Sequence, residues 1–280
     1  MEGTARRPLA VVTGASSGIG YELAAQFAQA GFDLIVAAEN QDITAAAGSV
    51  REYGAEHAVQ VMPVQADLAT FDGVEVLCAA VAGAGVPPDA LAINAGVGVS
   101  GDFVRENELA DELRLINLNV TSAVHLAKRV LPSMTAQGSG GVLFTSSIAA
   151  TAPGPYHATY AASKAFLLSF AEALGYELRD TGVTVTALMP GPTDTEFFER
   201  AGMQDTPLGR MGDKDDPAEV ARQGFEALMA GKDHVVAGSL RNKAQTVVTK
   251  VVPDAVKARM QARMTEPDPD ASEQDGARRS

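Results

Sequence analysis

A tyrosine and a lysine stand four residues apart in the segment YAASK, from Tyr160 to Lys164. Residues at positions i and i+4 share one face of an α-helix, so the phenol and the ammonium group are predicted to be neighbours. A free phenol has a pKa of about 10, and a nearby positive charge favours its ionised form. The pair indicates proton transfer, although a packed tyrosine beside a solvated lysine is the alternative interpretation.

A glycine-rich segment, TGASSGIG at 13–20, lies between the first predicted strand and the first predicted helix. Glycines at these positions permit a tight turn and a close approach of the backbone to a diphosphate, and the helix N-terminus attracts an anion. The segment therefore predicts a dinucleotide site. Its cofactor-binding residues are Gly14, Ser16, Ser17, Gly18, Ile19 and Gly20.

Short apolar runs alternate with helical patterns along the chain. The runs are nearly continuous, which is typical of parallel strands covered on both faces. The alternation predicts an α/β fold of the Rossmann type, a three-layer doubly wound parallel sheet of about seven strands. The predicted strands are 9–13, 33–38, 58–64, 90–93, 141–146, 182–189 and 234–238. The predicted helices are 18–30, 41–54, 71–83, 106–136, 155–180 and 216–230.

No repeat or linker divides the chain, so we expect one catalytic domain over 1–264. Segment 193–217 lies where a crossover is expected, and its large apolar side chains favour a lid over a ligand. Segment 240–264 is predicted as one or two amphipathic helices, and 265–280 as a disordered tail. The apolar side chains of the predicted lid are Phe197, Phe198 and Met203.

The glycine loop and the YxxxK pair together resemble the signature of the short-chain dehydrogenase/reductase family, in its compact single-domain branch. The resemblance extends over 8–238 and includes NAG at 94–96, TSS after the fifth strand and PG at 190–191. It implies an NAD(P)-dependent oxidoreductase that interconverts a secondary alcohol and a ketone by hydride transfer. In that case Tyr160 is the general acid/base, with Lys164 bound to the nicotinamide ribose.

The resemblance also implies the remaining catalytic residues. Ser147, thirteen residues before Tyr160, matches the serine that orients the substrate oxygen, with Ser146 as the alternative. Asn119 matches the asparagine that kinks a helix and holds a water molecule near the lysine, with Asn117 as the alternative.

Further cofactor contacts are implied in the same way. The aspartate after the third strand would bond the adenine, the NAG segment would line the adenine ribose, and the two threonines after PG would bond the carboxamide. The threonines also suit helix capping. This set comprises Asp67, Leu68, Asn94, Ala95, Gly96, Tyr160, Lys164, Pro190, Gly191, Thr193 and Thr195.

The residues after the second strand decide between NAD(H) and NADP(H). An acidic side chain there bonds the ribose 2′-hydroxyl, whereas an arginine accepts a 2′-phosphate. Ala38 stands at the usual deciding position and Glu39 follows it, and the pattern places no cation there. We therefore expect NAD(H) rather than NADP(H).

The substrate itself is not specified by any motif. Segments 151–158 and 194–212 should frame a mainly apolar pocket, which suggests a lipophilic ketone or alcohol. His157 stands three residues before Tyr160, where it would either touch substrate or pack. A non-catalytic NAD(P)-binding sensor or scaffold is the alternative function.

Charge and composition exclude other classes. The formal net charge of −13 argues against nucleic-acid binding and against contact with anionic membranes. The single Cys78 cannot form a disulfide within the chain, no metal site is expected, and no apolar run approaches the roughly 20 residues of a membrane span. We expect a cytoplasmic homodimer or homotetramer, associated through 106–136 and 155–180.

Overall fold

The computed structural model of the chain describes residues 6–239 and 254–266. Within these ranges, parallel strands form a seven-stranded sheet in the order β3-β2-β1-β4-β5-β6-β7. The predicted doubly wound sheet is thereby confirmed. The strands are β1 (Leu9–Thr13), β2 (Asp33–Ala38), β3 (Val61–Gln65), β4 (Ala90–Ile93), β5 (Gly140–Thr145), β6 (Val183–Pro190) and β7 (His234–Ala237).

Helices cover both faces of the sheet because alternate strand residues point to opposite sides. Leu9 and Val11 of β1 pack with the helices of one face, whereas Ala10 and Val12 pack with those of the other. Helices α3 (Phe71–Gly83), α5 (Ser122–Gln137) and α6 (Ala158–Leu178) form the first layer. Helices α1 (Gly18–Gln29), α2 (Asp42–Tyr53) and α8 (Pro217–Met229) form the second.

The strand order reverses between β1 and β4, which both pair with neighbours in parallel register. In sheets of this kind a crevice opens at the carboxyl ends of the strands where the order reverses. The segments that follow β1, β2 and β4 therefore begin side by side. This edge is where the glycine loop, Glu39 and the NAG segment are brought together.

Three predicted elements begin three residues later than predicted or are divided, whereas most other boundaries agree within one or two residues. Strand β3 begins at Val61 rather than at 58, because Ala58 takes a left-handed φ of 51° after a short 3₁₀ turn. Helix α6 begins at Ala158 rather than at 155, because Tyr156 has a φ of 61°. The predicted helix 106–136 is divided into α4 (Leu109–Ile116), a π-helical turn at Asn117–Thr121 and α5.

Segment 193–217 folds back on itself through a parallel bridge between Thr193 and Asp215. It contains the short helix α7 (Phe197–Arg200), and Phe198 and Met203 form a small buried cluster with Ala201. The apolar side chains that favoured a lid are thus packed together over the carboxyl edge of the sheet.

Helix α9 (Asp254–Thr265) packs against this segment, since the Leu208 amide donates to the Met264 carbonyl at 2.9 Å. It is part of the predicted helical segment 240–264 and extends to Thr265, which the sequence placed in the tail. The remaining predictions, for 240–253 and 267–280, lie outside the described residues. Within the described residues, no helix has the length and apolarity needed to cross a membrane.

Candidate active site

A cavity of about 480 Å³ opens at the carboxyl edge of the sheet, beneath segment 193–217. The glycine loop, the ends of the strands and the start of α6 contribute to its walls. Every predicted site residue except Asn119 lines it. The fold therefore brings together residues that are widely separated in the sequence.

The glycine loop forms a close-packed cradle at one end of the cavity. Gly14 has a φ of +67°, and a β-carbon there would lie 2.9 Å from the Cα atom of Ala95. A β-carbon on Gly20 would lie 2.1 Å from the Gly14 carbonyl oxygen. Helix α1 begins at Gly18, and the side chain of its N-cap residue Ser17 makes no capping hydrogen bond. The first-turn amides and this close approach fit the diphosphate of a dinucleotide.

Two threonines that the sequence analysis missed connect the cradle to the centre of the cavity. The Thr13 hydroxyl accepts from the amides of Asn94 and Ala95 at 2.9 and 3.0 Å. The Asn94 side chain donates to the Thr13 carbonyl at 3.1 Å and accepts from the Thr145 hydroxyl at 3.0 Å. This network ties the ends of β1, β4 and β5 together. Thr13 is the first residue of the TGASSGIG segment, so its place next to the predicted dinucleotide site could have identified it from the sequence.

The end of β5 fixes the orientation of the Lys164 side chain. Its ammonium group donates to the Thr145 carbonyl at 2.8 Å and lies 5.7 Å from the centroid of the Tyr160 ring. The residue is only 5% exposed. Burial lowers the pKa of Lys164 to about 8, because an ammonium group is disfavoured away from water. The predicted proximity of the two side chains is present on one face of α6.

The pKa of Tyr160 moves in the direction opposite to the expected one. Burial raises it to about 12, and the interaction with the Ser147 hydroxyl lowers it only in part. The main cause is desolvation of the phenolate, because the buried oxygen loses its contact with water. Tyr160 is thus a protonated phenol near neutral pH, which is the form that donates a proton.

The structure separates the two candidate serines. The Ser147 hydroxyl lies in the cavity near Tyr160 and accepts from the Ala149 amide at 3.1 Å. The Ser146 hydroxyl is buried and donates to the backbone carbonyl of Lys164 at 2.7 Å. Of the two, Ser147 has the hydroxyl that is placed to contact a substrate oxygen.

Asn119 is buried in the π-helical turn, whereas the alternative Asn117 is exposed. Its side chain accepts from the Val97 amide and donates to the Val97 carbonyl, both at 2.9 Å. It also donates to the Ser163 hydroxyl at 3.0 Å, and Ser163 in turn donates to the Tyr160 carbonyl at 2.7 Å. Asn119 therefore joins the segment after β4 to the helix that carries Tyr160 and Lys164. The sequence analysis had missed Ser163.

Aromatic rings surround the Tyr160 phenol. The Phe197 ring lies 5.1 Å away and the His157 ring 6.1 Å away, measured between centroids. Both ring nitrogens of His157 are buried without a hydrogen-bond partner among the described residues. Burial lowers the pKa of His157 to about 4, so the imidazole is neutral.

The outer wall of the pocket differs from the expected one. Pro153, Pro155 and Tyr156 were expected to frame the pocket, but they do not line it. The strained backbone at Tyr156 turns this segment toward α9, where the Tyr156 hydroxyl donates to the Glu266 carboxylate at 2.9 Å. The other residues expected there, His157, Phe197 and Phe198, do line the pocket. The wall is completed by Ile148, Ala149, Met203, Leu208, Met211, Gln261 and Met264.

The two threonines of the PG segment serve local structure as well as lining the cavity. The Thr193 hydroxyl donates to the Gly191 carbonyl at 2.9 Å. The Thr195 hydroxyl accepts from the Phe197 amide at 3.3 Å, while the N-cap residue of α7 is Glu196, whose side chain makes no capping hydrogen bond. A β-carbon on Gly18 would lie 3.1 Å from the Thr195 methyl group, so this segment packs closely on the cradle.

An arginine that the sequence analysis did not consider lies beside Glu39 and Asp67. Arg114 of α4 forms an ion pair with the Glu39 carboxylate and donates to both Asp67 oxygens, at 3.0 and 3.3 Å. The expectation that no cation stands near this end of the site is therefore wrong. Arg114 is far from Glu39 in sequence, so only the fold brings the two together.

Comparison with known proteins identifies similar chains. The model of the short chain dehydrogenase family matches residues 8–205. A short chain dehydrogenase of Pseudocercospora fijiensis is 33% identical over 198 residues, which cover 70% of this chain and 63% of that protein. The match thus spans less than two thirds of that relative's own length.

Two solved structures share the fold over most of the chain. A short-chain dehydrogenase from Sphingobium yanoikuyae in complex with NADPH has a TM-score of 0.73 and 29% identity, covering 89% of this chain and 97% of that one. The bulky-bulky ketone specific alcohol dehydrogenase from Comamonas testosteroni has a TM-score of 0.72 and 25% identity, covering 90% and 97%.

Proposed function

Because the chain belongs to the short-chain dehydrogenase/reductase family of NAD(P)-binding oxidoreductases, we propose that it interconverts a ketone and a secondary alcohol with Tyr160 as general acid/base. One observation carries the proposal. The Tyr160 phenol, with Ser147 beside it and the Lys164 ammonium group behind it, lies in the same cavity as the glycine cradle. Proton-transfer groups and a dinucleotide cradle in one cavity are what a hydride-transfer enzyme requires.

The glycine cradle and the residues around Asn94 would hold the nicotinamide cofactor, which supplies or accepts the hydride. In reduction, the Tyr160 hydroxyl gives its proton to the carbonyl oxygen of the ketone as that oxygen becomes an alcohol. The Ser147 hydroxyl donates a hydrogen bond to the same oxygen and stabilises the negative charge that develops there. In oxidation the proton returns to the Tyr160 oxygen.

Lys164 and its neighbours set the geometry and the charge. The Lys164 ammonium group stays on the Tyr160 side of the cavity because Thr145 fixes it, and its charge favours the phenolate once the proton has left. Asn119 holds α6 in register with the segment after β4 through Ser163. We assign Asn119 a positioning role in this chain.

The walls around Tyr160 support a lipophilic ketone or secondary alcohol as substrate. The rings of Phe197 and His157 and the side chains of Met203 and Met264 present mainly apolar surface to the cavity. A pocket of this kind binds apolar groups and uses few polar anchors. The similarity to an alcohol dehydrogenase specific for bulky ketones supports the same substrate class.

The cofactor that we propose is NAD(H). The Glu39 carboxylate lines the cavity and can accept a hydrogen bond from a ribose 2′-hydroxyl, and it repels a 2′-phosphate. The ion pair with Arg114 reduces that repulsion without removing the carboxylate from the cavity.

A homodimer or homotetramer is also proposed, through α4, α5 and α6. Leu109 and Leu113 of α4, Val124 of α5 and Phe166 of α6 are exposed apolar side chains that an interface would cover. Light scattering on the purified chain measures the mass directly, and a monomer at micromolar concentration would contradict the proposal.

The decisive experiment compares Tyr160→Phe with Tyr176→Phe. Both tyrosines belong to α6, but Tyr176 is 70% exposed and lies outside the cavity. We expect Tyr160→Phe to lower kcat with a bulky ketone by about 10²–10⁴-fold while NADH still binds, because only a transferable proton is lost. Tyr176→Phe should keep full activity.

The readout is the change in nicotinamide absorbance, with cofactor binding measured separately by fluorescence. Unchanged turnover in Tyr160→Phe would remove the mechanism. Cofactor binding without turnover of any ketone or alcohol by the unmodified chain would favour an NAD(P)-binding sensor instead.

A further inference from the structure

Glu39, Asp67 and Arg114 form a cluster, here termed the adenosine-end cluster, at the rim of the cavity. Glu39 follows β2 and Asp67 follows β3, so both carboxylates emerge from neighbouring strands at the same edge of the sheet. Both line the cavity, whereas Arg114 contacts them without lining it. The carboxylates thus lie nearer to the cavity than the guanidinium does, and the Arg114 side chain is 43% exposed.

Arg114 is anchored by one carboxylate and shared with the other. Two of its nitrogens donate to the two Asp67 oxygens, which is the fork geometry that only arginine provides. Asp67 is itself fixed by the Ala69 amide at 2.9 Å. Burial raises the pKa of Asp67, but the hydrogen bonds from Arg114 and Ala69 outweigh it and hold that pKa below its ordinary value. Asp67 is therefore the ionised anchor.

The Glu39 carboxylate, in contrast, is a partner of Arg114 that another anion could replace. Its carboxylate shares a single Arg114 nitrogen, and 58% of its side chain is exposed. Two carboxylates and one guanidinium leave the cluster with one net negative charge, which disfavours a further anion. An anion that took the place of the Glu39 carboxylate would meet the same Arg114 N–H group.

We propose that Arg114 determines cofactor specificity: Glu39 occupies its guanidinium and makes the chain select NAD(H), and without that carboxylate the same guanidinium binds the 2′-phosphate of NADP(H). The inference deepens the proposed function, since it concerns the nucleotide end of the same cavity. It does not depend on the acid/base role of Tyr160.

The test is a double-mutant cycle of Glu39→Ala and Arg114→Ala, with NADH and NADPH dissociation constants measured by nicotinamide fluorescence. The unmodified chain should bind NADH at least about tenfold more tightly than NADPH. Glu39→Ala should bind NADPH at least about tenfold more tightly than the unmodified chain does, because a phosphate replaces the carboxylate on Arg114. The double variant should lose that gain.

Two further measurements separate the guanidinium from general charge effects. Adenosine 2′,5′-bisphosphate and adenosine 5′-phosphate differ by the 2′-phosphate alone, so calorimetry with both should show the gain for the bisphosphate only. Arg129→Ala is the matched control, because Arg129 pairs with Glu75 outside the cavity and should leave the NADH-to-NADPH ratio unchanged. Thermal unfolding checks that each variant is folded.

Equal NADPH gains in Glu39→Ala and in the double variant would overturn the inference, since Arg114 would then not hold the phosphate. An unmodified chain that prefers NADPH would overturn it as well. Failure of the Tyr160→Phe experiment would leave these binding results intact, so the two proposals can be distinguished.

Discussion

The hydroxyl group of Ser146 donates a 2.7 Å hydrogen bond to the backbone carbonyl of Lys164. This bond ties the end of β5 to the middle of α6 and uses the hydroxyl of a buried side chain. The hydroxyl of the adjacent Ser147 interacts with the Tyr160 phenol instead. Adjacent serines thus have different surroundings, and the difference can be measured.

Ser147→Ala should lower kcat by about 10²–10³-fold, because it removes a donor to the developing oxyanion. It also removes the acceptor of the Ala149 amide, so the free energy of unfolding should fall by about 1 kcal/mol as well. Ser146→Ala should keep kcat within a few-fold and lower the free energy of unfolding by roughly 1 kcal/mol, because it removes a buried hydrogen bond. Steady-state kinetics and urea unfolding give both quantities. A large loss of kcat in Ser146→Ala together with a small one in Ser147→Ala would show that the two serines are assigned the wrong way round.

Gly20→Ala should weaken NADH binding by at least about tenfold and destabilise the chain. The added β-carbon would stand 2.1 Å from the Gly14 carbonyl oxygen, so the cradle has to open. Gly48→Ala is the matched control, because Gly48 lies in α2 with nothing within 4 Å of the added β-carbon. It should stabilise the chain by about 0.5–1 kcal/mol and leave NADH binding unchanged. Equal effects of the two substitutions would contradict a close-packed cradle.

His157 should make the chain sensitive to mild acid. Its pKa is about 4 in the folded chain and 6.5 for a histidine exposed to water, as in the unfolded chain. Between these two pH values the unfolded chain therefore binds more protons than the folded chain. Stability therefore falls as the pH drops through this window, by roughly 2 kcal/mol at pH 5. His157→Gln cannot take up that proton and should lose this part of the pH dependence.

Urea unfolding at pH 7 and pH 5 measures the effect, with His234→Gln on the exposed side of β7 as the control. For each variant, the quantity compared is the difference in the free energy of unfolding between pH 7 and pH 5. The free energy at one pH is not compared, because Gln also changes the packing. The same pH dependence in His157→Gln and in the unmodified chain would show that the imidazole is not buried neutral.

The strand pattern and the spacing of a few residues were sufficient to predict the sheet and most of the cavity. Continuous apolar runs such as 9–13 and 33–38 can only be buried on both faces, which requires helices on each side. The roles of Gly14 and Gly20 could be predicted because few structures other than a dinucleotide-binding turn need glycines at both positions between a strand and a helix. Tyr160 and Lys164 were readable because helical spacing fixes their common face.

Other parts of the site depend on contacts that no local pattern contains. Lys164 is oriented by a backbone carbonyl, that of Thr145, and any residue type would supply a carbonyl there. Arg114 lies 75 positions from Glu39, so their ion pair arises from tertiary packing alone. The raised pKa of Tyr160 has the same origin, since spacing gives the distance to Lys164 but not the loss of water.

Helix α9 is joined to the substrate side of the cavity at three points: Met264 to Leu208, Thr265 to Pro155 and Glu266 to Tyr156. Part of the cover over the reacting groups is thus supplied by α9, through Gln261 and Met264, beside segment 193–217. Substitutions in that cover would retune which molecules fit while the proton-transfer residues stay untouched. Substrate preference and proton-transfer chemistry can therefore change independently, through substitutions in different parts of the chain.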